Sequence, residues 1–377
     1  MEPLIPERRS WEQWATAARE WTELVDGSPY ASFFHSAGWI ATWIEVYGPQ
    51  LKPEILLLRA GARTVAACLL VFRTQRRGPI ALRRVYLNAC GEDEYEETSL
   101  EFNDLLCLPG YEEAAAQALR GVLDARSWDE FIVPGCSASQ ASDALKQAFG
   151  DLALSARTIP SFFVALDAAR RARAAFLMSL SGRNRNIIRK SLKLYEAEAP
   201  VVTELAENAR QAQAHLRELV TLHQESWRAR GALGAFYSSR FVRFHETLID
   251  RLFDQGHIQV ASVRCGRQLI GALLCFAWRS KVYFYQCGFR YSTDKHLRPG
   301  LTTFLLSIER FAEQGWNEFD FMAGDNQYKR VFANQHRDLQ WMTFQRPTAR
   351  ISLLRALIRL REAYRWLAHR LRSPGTR

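Results

Sequence analysis

One stretch of this chain is repeated in outline 205 positions further on. Residues 54–71, E-I-L-L-L-R-A-G-A-R-T-V-A-A-C-L-L-V, align with residues 259–276, Q-V-A-S-V-R-C-G-R-Q-L-I-G-A-L-L-C-F. The identical pairs are Arg59/Arg264, Gly61/Gly266, Ala67/Ala272 and Leu69/Leu274. Both copies nevertheless read as a strand, a Gly-containing tight turn and a small-residue strand. Each follows an aromatic-rich helical stretch, 38–47 and 239–253. A chain that builds this unit twice is constrained to two similar α/β halves in tandem. Its 377 residues suit that arrangement, since single cores stop growing beyond about 250–300 residues.

Between the copies, periodicity predicts a strand at 83–88, a helix at 111–126, a strand at 130–134, a helix at 139–149 and a strand at 161–166. A long helical segment, 168–198, carries the basic run S-G-R-N-R-N-I-I-R-K-S-L-K and bridges the halves. A helix at 209–230, the hairpin 258–276 and a strand at 282–288 follow. Pro299-Gly300 breaks the chain before a helix at 301–314, and strands at 318–322 and 341–345 complete the second half. The expected units are therefore 1–166, 167–347 (with 167–200 as the bridge) and a tail, 348–377. The fold class is α/β (α+β), two tandem domains each with a mixed central sheet flanked by helices.

Composition narrows the function classes. The first 14 residues hold Glu2, Glu7, Arg8, Arg9 and Glu12, so no secretory leader fits there. The apolar run 269–278 is about half a membrane span. Seven cysteines, an odd number without C-x-x-C, point to a reducing cytoplasm and away from a metal site. The net charge of +10 is concentrated: eight arginines against Glu362 from position 350 onward leave only +3 for the other 349 residues. A nearly balanced body argues against a nucleic-acid footprint. In the tail, Leu353, Leu357, Leu360, Tyr364, Leu367 and Leu371 alternate spacings of four and three and draw one stripe down a helix. Two readings stay open, a helix docked on the body with a solvated basic face, or an interfacial helix on an anionic membrane surface or an acidic carrier protein through 350–372.

The stretch 315–334, G-W-N-E-F-D-F-M-A-G-D-N-Q-Y-K-R-V-F-A-N, sets a strand-end carboxylate beside a turn and an aromatic–cation pair. With Arg183, Arg185 and Arg189 in the bridge, Leu222-His223-x-x-x-Trp227-x-x-x-Gly231, Tyr285-x-x-Gly288-Phe289, Arg298-Pro299-Gly300 and Gly324-x-x-x-Tyr328-Lys329, it resembles the GNAT acyltransferase superfamily. The order of these motifs is similar to the CelD-type, cellulose-biosynthesis-associated branch, related to the FemABX peptidyltransferases with two GNAT-like halves. Phe34-His35-Ser36-x-x-Trp39 carries the likeness into the first half. The usual pyrophosphate loop, Q/R-x-x-G-x-G/A, is reduced here to Arg298-Pro299-Gly300-Leu301-Thr302.

The resemblance implies a set of site residues. Arg298, Gly300, Leu301 and Thr302, at a positive helix end, and Arg185 on the bridge are expected to hold donor phosphates. Lys329 is expected to stabilise charge developing during acyl transfer. Asp320, alternating with Phe319 and Phe321, is read either as orienting an amine or as a carboxylate on a solvated face. His223 shares a helix face with Trp227 and suits removal of a proton from an attacking ammonium. Tyr285 reads as a donor to a leaving thiolate or as core. Trp227 and Tyr328 are expected against substrate. Glu101, Asn103 and Asp104, closing the acidic run 91–104, are expected to face an amine-bearing acceptor.

These features predict an N-acyltransferase working by direct attack, without a covalent enzyme intermediate or a permanently bound cofactor. The donor is expected to be acyl-CoA or an acyl carrier protein. The acceptor is expected to be the amine of a lipid (sphingoid-type), an amino sugar or an envelope precursor. The location is cytoplasmic, peripheral to the membrane if the tail binds it. The rival expectations are an aminoacyl-tRNA-dependent peptidyltransferase and a non-catalytic scaffold in polysaccharide export.

Overall fold

Thirteen strands join in one mixed sheet that runs through both halves of the chain. In the computed structural model, residues 3–167, 170 and 173–372 are described, with backbone alone at 173–175 and 366–372. The strands are β1 (Ile5–Ser10), β2 (Glu54–Ala60), β3 (Arg63–Arg77), β4 (Ile80–Leu87), β5 (Leu106–Cys107), β6 (Glu130–Ser137), β7 (Ala153–Ala165), β8 (Val201–Leu205), β9 (Ile258–Cys265), β10 (Gln268–Trp278), β11 (Lys281–Phe289), β12 (Glu318–Ala323) and β13 (Gln335–Gln345). Their order is β1-β2-β3-β4-β6-β13-β7-β12-β11-β10-β9-β8, with β5 paired to β3.

This order is a tandem repeat with one exchange. Each half begins with an edge strand antiparallel to the first strand of the repeated hairpin, β1 on β2 and β8 on β9. Each hairpin turns on a glycine with positive φ, Gly61 at 59° and Gly266 at 55°, which no side-chain-bearing residue adopts cheaply. Each half then has a parallel pair, β4 with β6 and β11 with β12. The last strands are traded. β7 from the first half pairs with β12, and β13 from the second half pairs with β6.

Helices Ala37–Leu51 and Ser239–Leu252 follow in matching places, and aromatic rings join the halves there. Trp39 meets Phe244 edge to face at 4.9 Å, and Phe33 stacks on Phe276 at 4.4 Å. On the other face of the second half, Phe284, Phe304, Phe311, Phe319, Phe321 and Phe332 form a separate core.

Several sequence expectations need correction. The predicted long helix 168–198 is broken, because Ser181 leaves Arg173–Ser179 and caps a new helix, Gly182–Glu198, by accepting from Asn184 N. Residues 168–169 and 171–172 of that prediction lie outside the described residues. The strands predicted at 161–166 and 341–345 are the ends of the longer β7 and β13, whose outer residues are too polar to read as buried strand. Strands β1 and β8 and the helix Trp14–Gly27 were not anticipated. The tail helix, Ala349–Arg372, docks through Ile351 and Leu354 on Ile80 and Leu82, with only Leu357 of the predicted stripe packed beside them and Leu353, Leu360 and Tyr364 exposed.

Candidate active site

Parallel strands that pair over only a few residues splay apart beyond them, and this happens once in each half. β11 and β12 pair from Lys281↔Glu318 to Tyr283↔Asp320, which leaves the β12-facing edge of 284–289 without a strand partner. β4 and β6 likewise pair only from Arg84↔Glu130 to Tyr86↔Ile132.

The first gap is filled. Asn103 donates its backbone N–H to Gly135 O at 3.1 Å and its side-chain amide to Leu87 O at 3.2 Å, so residues 100–104 bridge the two splayed strands. Asn88 Nδ2 donates to Asn103 Oδ1 and to Asp104 O. The second gap is open, a cleft of about 1010 Å³. Its floor is aromatic, with Phe304 stacked on Tyr328 at 5.1 Å and edge to face with Phe284 at 5.0 Å.

His223 on the helix Ala209–Arg228 stands in the wall of this cleft. The helix rests directly on β11 because residue 288 is glycine. A Cβ there would lie 2.3 Å from Leu219 O and 3.0 Å from Leu222 Cβ. That close contact brings His223 Nδ1 to 3.0 Å from Cys287 O. A carbonyl only accepts, so Nδ1 carries the proton and Nε2 presents a lone pair. Nε2 is buried without a hydrogen-bond partner. Burial lowers the imidazole pKa below 6.5, and the nearby Arg230 charge adds to this against the Cys287 bond.

At the opposite lip the helix Pro299–Glu313 points its N-terminus into the cleft. Ser191 Oγ fixes this end, accepting from Arg298 N at 2.9 Å and lying 2.9 Å from Thr302 Oγ1. Pro299 has no N–H to lose, while the N–H groups at Gly300 and Leu301 belong to the unpaired first turn. Arg183, Arg230 and Arg298 are exposed around the same opening. The Arg230 guanidinium sits over the rings of Trp227 and Tyr291 at 5.3 and 5.9 Å. Positive charge, free backbone donors and flat rings in one place suit a phosphorylated carrier.

Of the residues expected from sequence, His223, Trp227, Arg298, Gly300, Leu301 and Tyr328 line the cleft. Others do not serve it as expected. Tyr285 belongs to the wall, but its hydroxyl donates to Thr98 O at 2.6 Å across the junction of the halves. Thr302 is buried on Ser191, and Arg185 turns back to donate to Met178 O, leaving Arg183 at the opening. Glu101, Asn103 and Asp104 are buried in the plug of the first gap instead of facing an acceptor. Asp320 is not on a solvated face. It is fully buried, accepts from Ser161 Oγ and Met322 N, and burial raises its pKa to about 6.

Lys329 is 3% exposed and absent from the cleft lining. Its Nζ donates to Met322 O at 2.9 Å and Ala323 O at 2.6 Å. Glu101 Oε2 accepts from Ala323 N at 2.7 Å. The two side chains thus complete the end of β12, where Met322 has a positive φ of 61° at a bulge. Burial pushes the Glu101 carboxyl up and the Lys329 ammonium down. Tyr291, Ser226 and Asn326 also line the cleft and were not singled out. The short spacing of Tyr291 from Gly288-Phe289 was the one available signal.

Residues 182–330 match the model of the acetyltransferase (GNAT) domain. That span contains every cleft-lining residue except Val331. No curated protein sequence matches the chain. Among solved structures, FemX superposes with a TM-score of 0.55 at 13% identity, covering 86% of this chain and 95% of its own. A tandem GNAT protein from the clavulanic acid biosynthesis pathway gives 0.46 at 13% identity, covering 92% and 99%. L-PGS from Bacillus licheniformis gives 0.47 at 12%, covering 78% and 85%. At such identities the likeness to FemX is one of fold.

Proposed function

We infer that the chain, an acyltransferase with an acetyltransferase (GNAT) domain around its cleft, moves an acyl group from acyl-CoA to an amine by direct attack. The carrying observation is His223 in the wall of the cleft, its tautomer fixed by Cys287 O and its buried Nε2 left without a hydrogen-bond partner. The amine nitrogen forms its bond to the thioester carbonyl carbon, and its proton passes to Nε2. The tetrahedral adduct then collapses, the C–S bond breaks, and the thiolate leaves and takes up a proton. The edge of β11 beyond its pairing with β12 is the stretch whose backbone N–H groups would meet the developing oxyanion.

Cys287 is the thiol nearest this path, and burial pushes it up to about 12. It stays protonated at neutral pH, which favours direct attack over an acyl-enzyme. Three arginines and a helix N-terminus favour CoA, which carries several phosphate charges, over a carrier protein's single phosphodiester. The order of motifs from Arg183 to Lys329 supports a CelD-type assignment, with a lipid, amino sugar or envelope precursor as amine.

The test is thiol release from acyl-CoA in the presence of candidate amines, with acyl-CoA binding followed by calorimetry. Arg298→Ala with Arg230→Ala is expected to raise KM for acyl-CoA about tenfold or more with little change in kcat. Absence of acyl-CoA binding overturns the reading.

A further inference from the structure

Among its described side chains, the helix Ala349–Arg372 is held to the body by its first turns. Ile351 and Leu354 are buried on Ile80 and Leu82, and Leu357 lies partly buried against them. Beyond this dock the helix keeps a second apolar face in water, with Leu353 53%, Leu360 66% and Tyr364 75% exposed. At ~100° per residue these three positions fall within ~40° of one another, on the side opposite Ile351. Leu367 and Leu371 continue the same spacing in the sequence.

The surroundings of this stripe carry one sign of charge. The helix has seven arginines against Glu362, and Arg355, Arg359, Arg361 and Arg365 are all exposed. The β3–β4 turn beside the dock adds exposed Arg76 and Arg77. A second copy of this helix would bring seven arginines against seven, with only Glu362 on each side to pair them. Among the described residues no helix is long and apolar enough to cross a membrane.

We propose that the exposed face of this helix, from Leu353 onward, lies in the surface of an anionic lipid bilayer. Leu353, Leu360 and Tyr364 enter the boundary of the acyl chains, and the flanking arginines meet lipid phosphates. The proposal is independent of the acyl-transfer chemistry, because none of these residues belongs to the cleft.

Flotation of the full-length protein with phosphatidylcholine vesicles, with and without phosphatidylglycerol, tests it. Binding is expected only with the anionic lipid, to weaken with added salt, and to fall about tenfold or more in Leu360→Glu/Tyr364→Glu. Both positions are exposed, so an unchanged thermal midpoint verifies that the variant is folded. Equal binding to the two vesicle types, or unaltered binding by the variant, overturns the proposal. A dimer in light scattering that the variant dissolves, without vesicle binding, assigns the stripe to a second copy and overturns it as well.

Discussion

His223 donates its Nδ1 proton to the carbonyl of Cys287 at 3.0 Å, which fixes the ring tautomer and leaves the buried Nε2 an acceptor without a hydrogen-bond partner. The bond depends on Gly288, the residue next to its acceptor, since only glycine lets the helix carrying His223 rest on β11 at this distance. A backbone contact and the tautomer of His223 are thus set by neighbouring residues of one strand.

Replacing the base tests the first half of this relationship. His223→Gln is expected to lower kcat/KM by about 10²- to 10⁴-fold. The folded pKa lies below 6.5, so the active neutral form persists into mildly acidic solution. In the native enzyme kcat/KM is expected to rise with pH with its midpoint below 6.5, and the variant is expected to lose that limb. Thiol-release kinetics across pH measure both, and an acid limb unchanged in the variant assigns it to another group.

The second half is tested by Gly288→Ala. A Cβ at 2.3 Å from Leu219 O forces the helix away from β11. A loss of about 1–3 kcal/mol in stability is expected, as for other overpacked sites. The kcat should fall with it, because His223 loses its anchor. Chemical denaturation and single-turnover rates read the two effects separately.

Lys329 is expected to hold β12 rather than to act on substrate. Lys329→Met removes two charge-assisted hydrogen bonds to buried carbonyls and takes a nearby cation from Glu101, at a cost of about 2–5 kcal/mol. Adding Glu101→Gln should restore part of that loss. A collapse of kcat with an unchanged urea midpoint would return Lys329 to an oxyanion role.

The acidic plug predicts a stability that depends on pH. Burial raises Glu92, held by Trp43 and Thr98, and Asp104, held by Cys136 and Ser139, each to about 7, from ordinary values of 4.5 and 3.8. The folded protein therefore keeps protons that the unfolded chain has already released. This contribution is full below the unfolded values and is lost as pH rises through about 7. The urea midpoint should fall between about pH 5 and about pH 8, and Glu92→Gln should flatten the decline. A midpoint that rises over this range sinks the assignment.

The sequence alone determined the repeated hairpins, their glycine turns, most helices and half of the cleft. Arg298, Gly300 and Leu301 were legible because Pro-Gly before an apolar period marks a helix start, and His223 with Trp227 because a four-residue spacing shares a face. These signals are local, carried by periodicity and by residues with restricted backbones. What only the tertiary structure decided lies in contacts between distant parts of the chain. Ser161 meets Asp320, Glu101 meets Ala323, and Thr98 meets Tyr285, and each turns a residue that looked functional into a buried brace. The exchange of β7 and β13 is of the same kind, since the pattern of a strand does not name its neighbour. Both halves splay a parallel pair, and the acidic run 91–104 looked fit to face an acceptor. Its end instead closes one gap by hydrogen bonding to Leu87 and Gly135, while the other gap stays open beside His223.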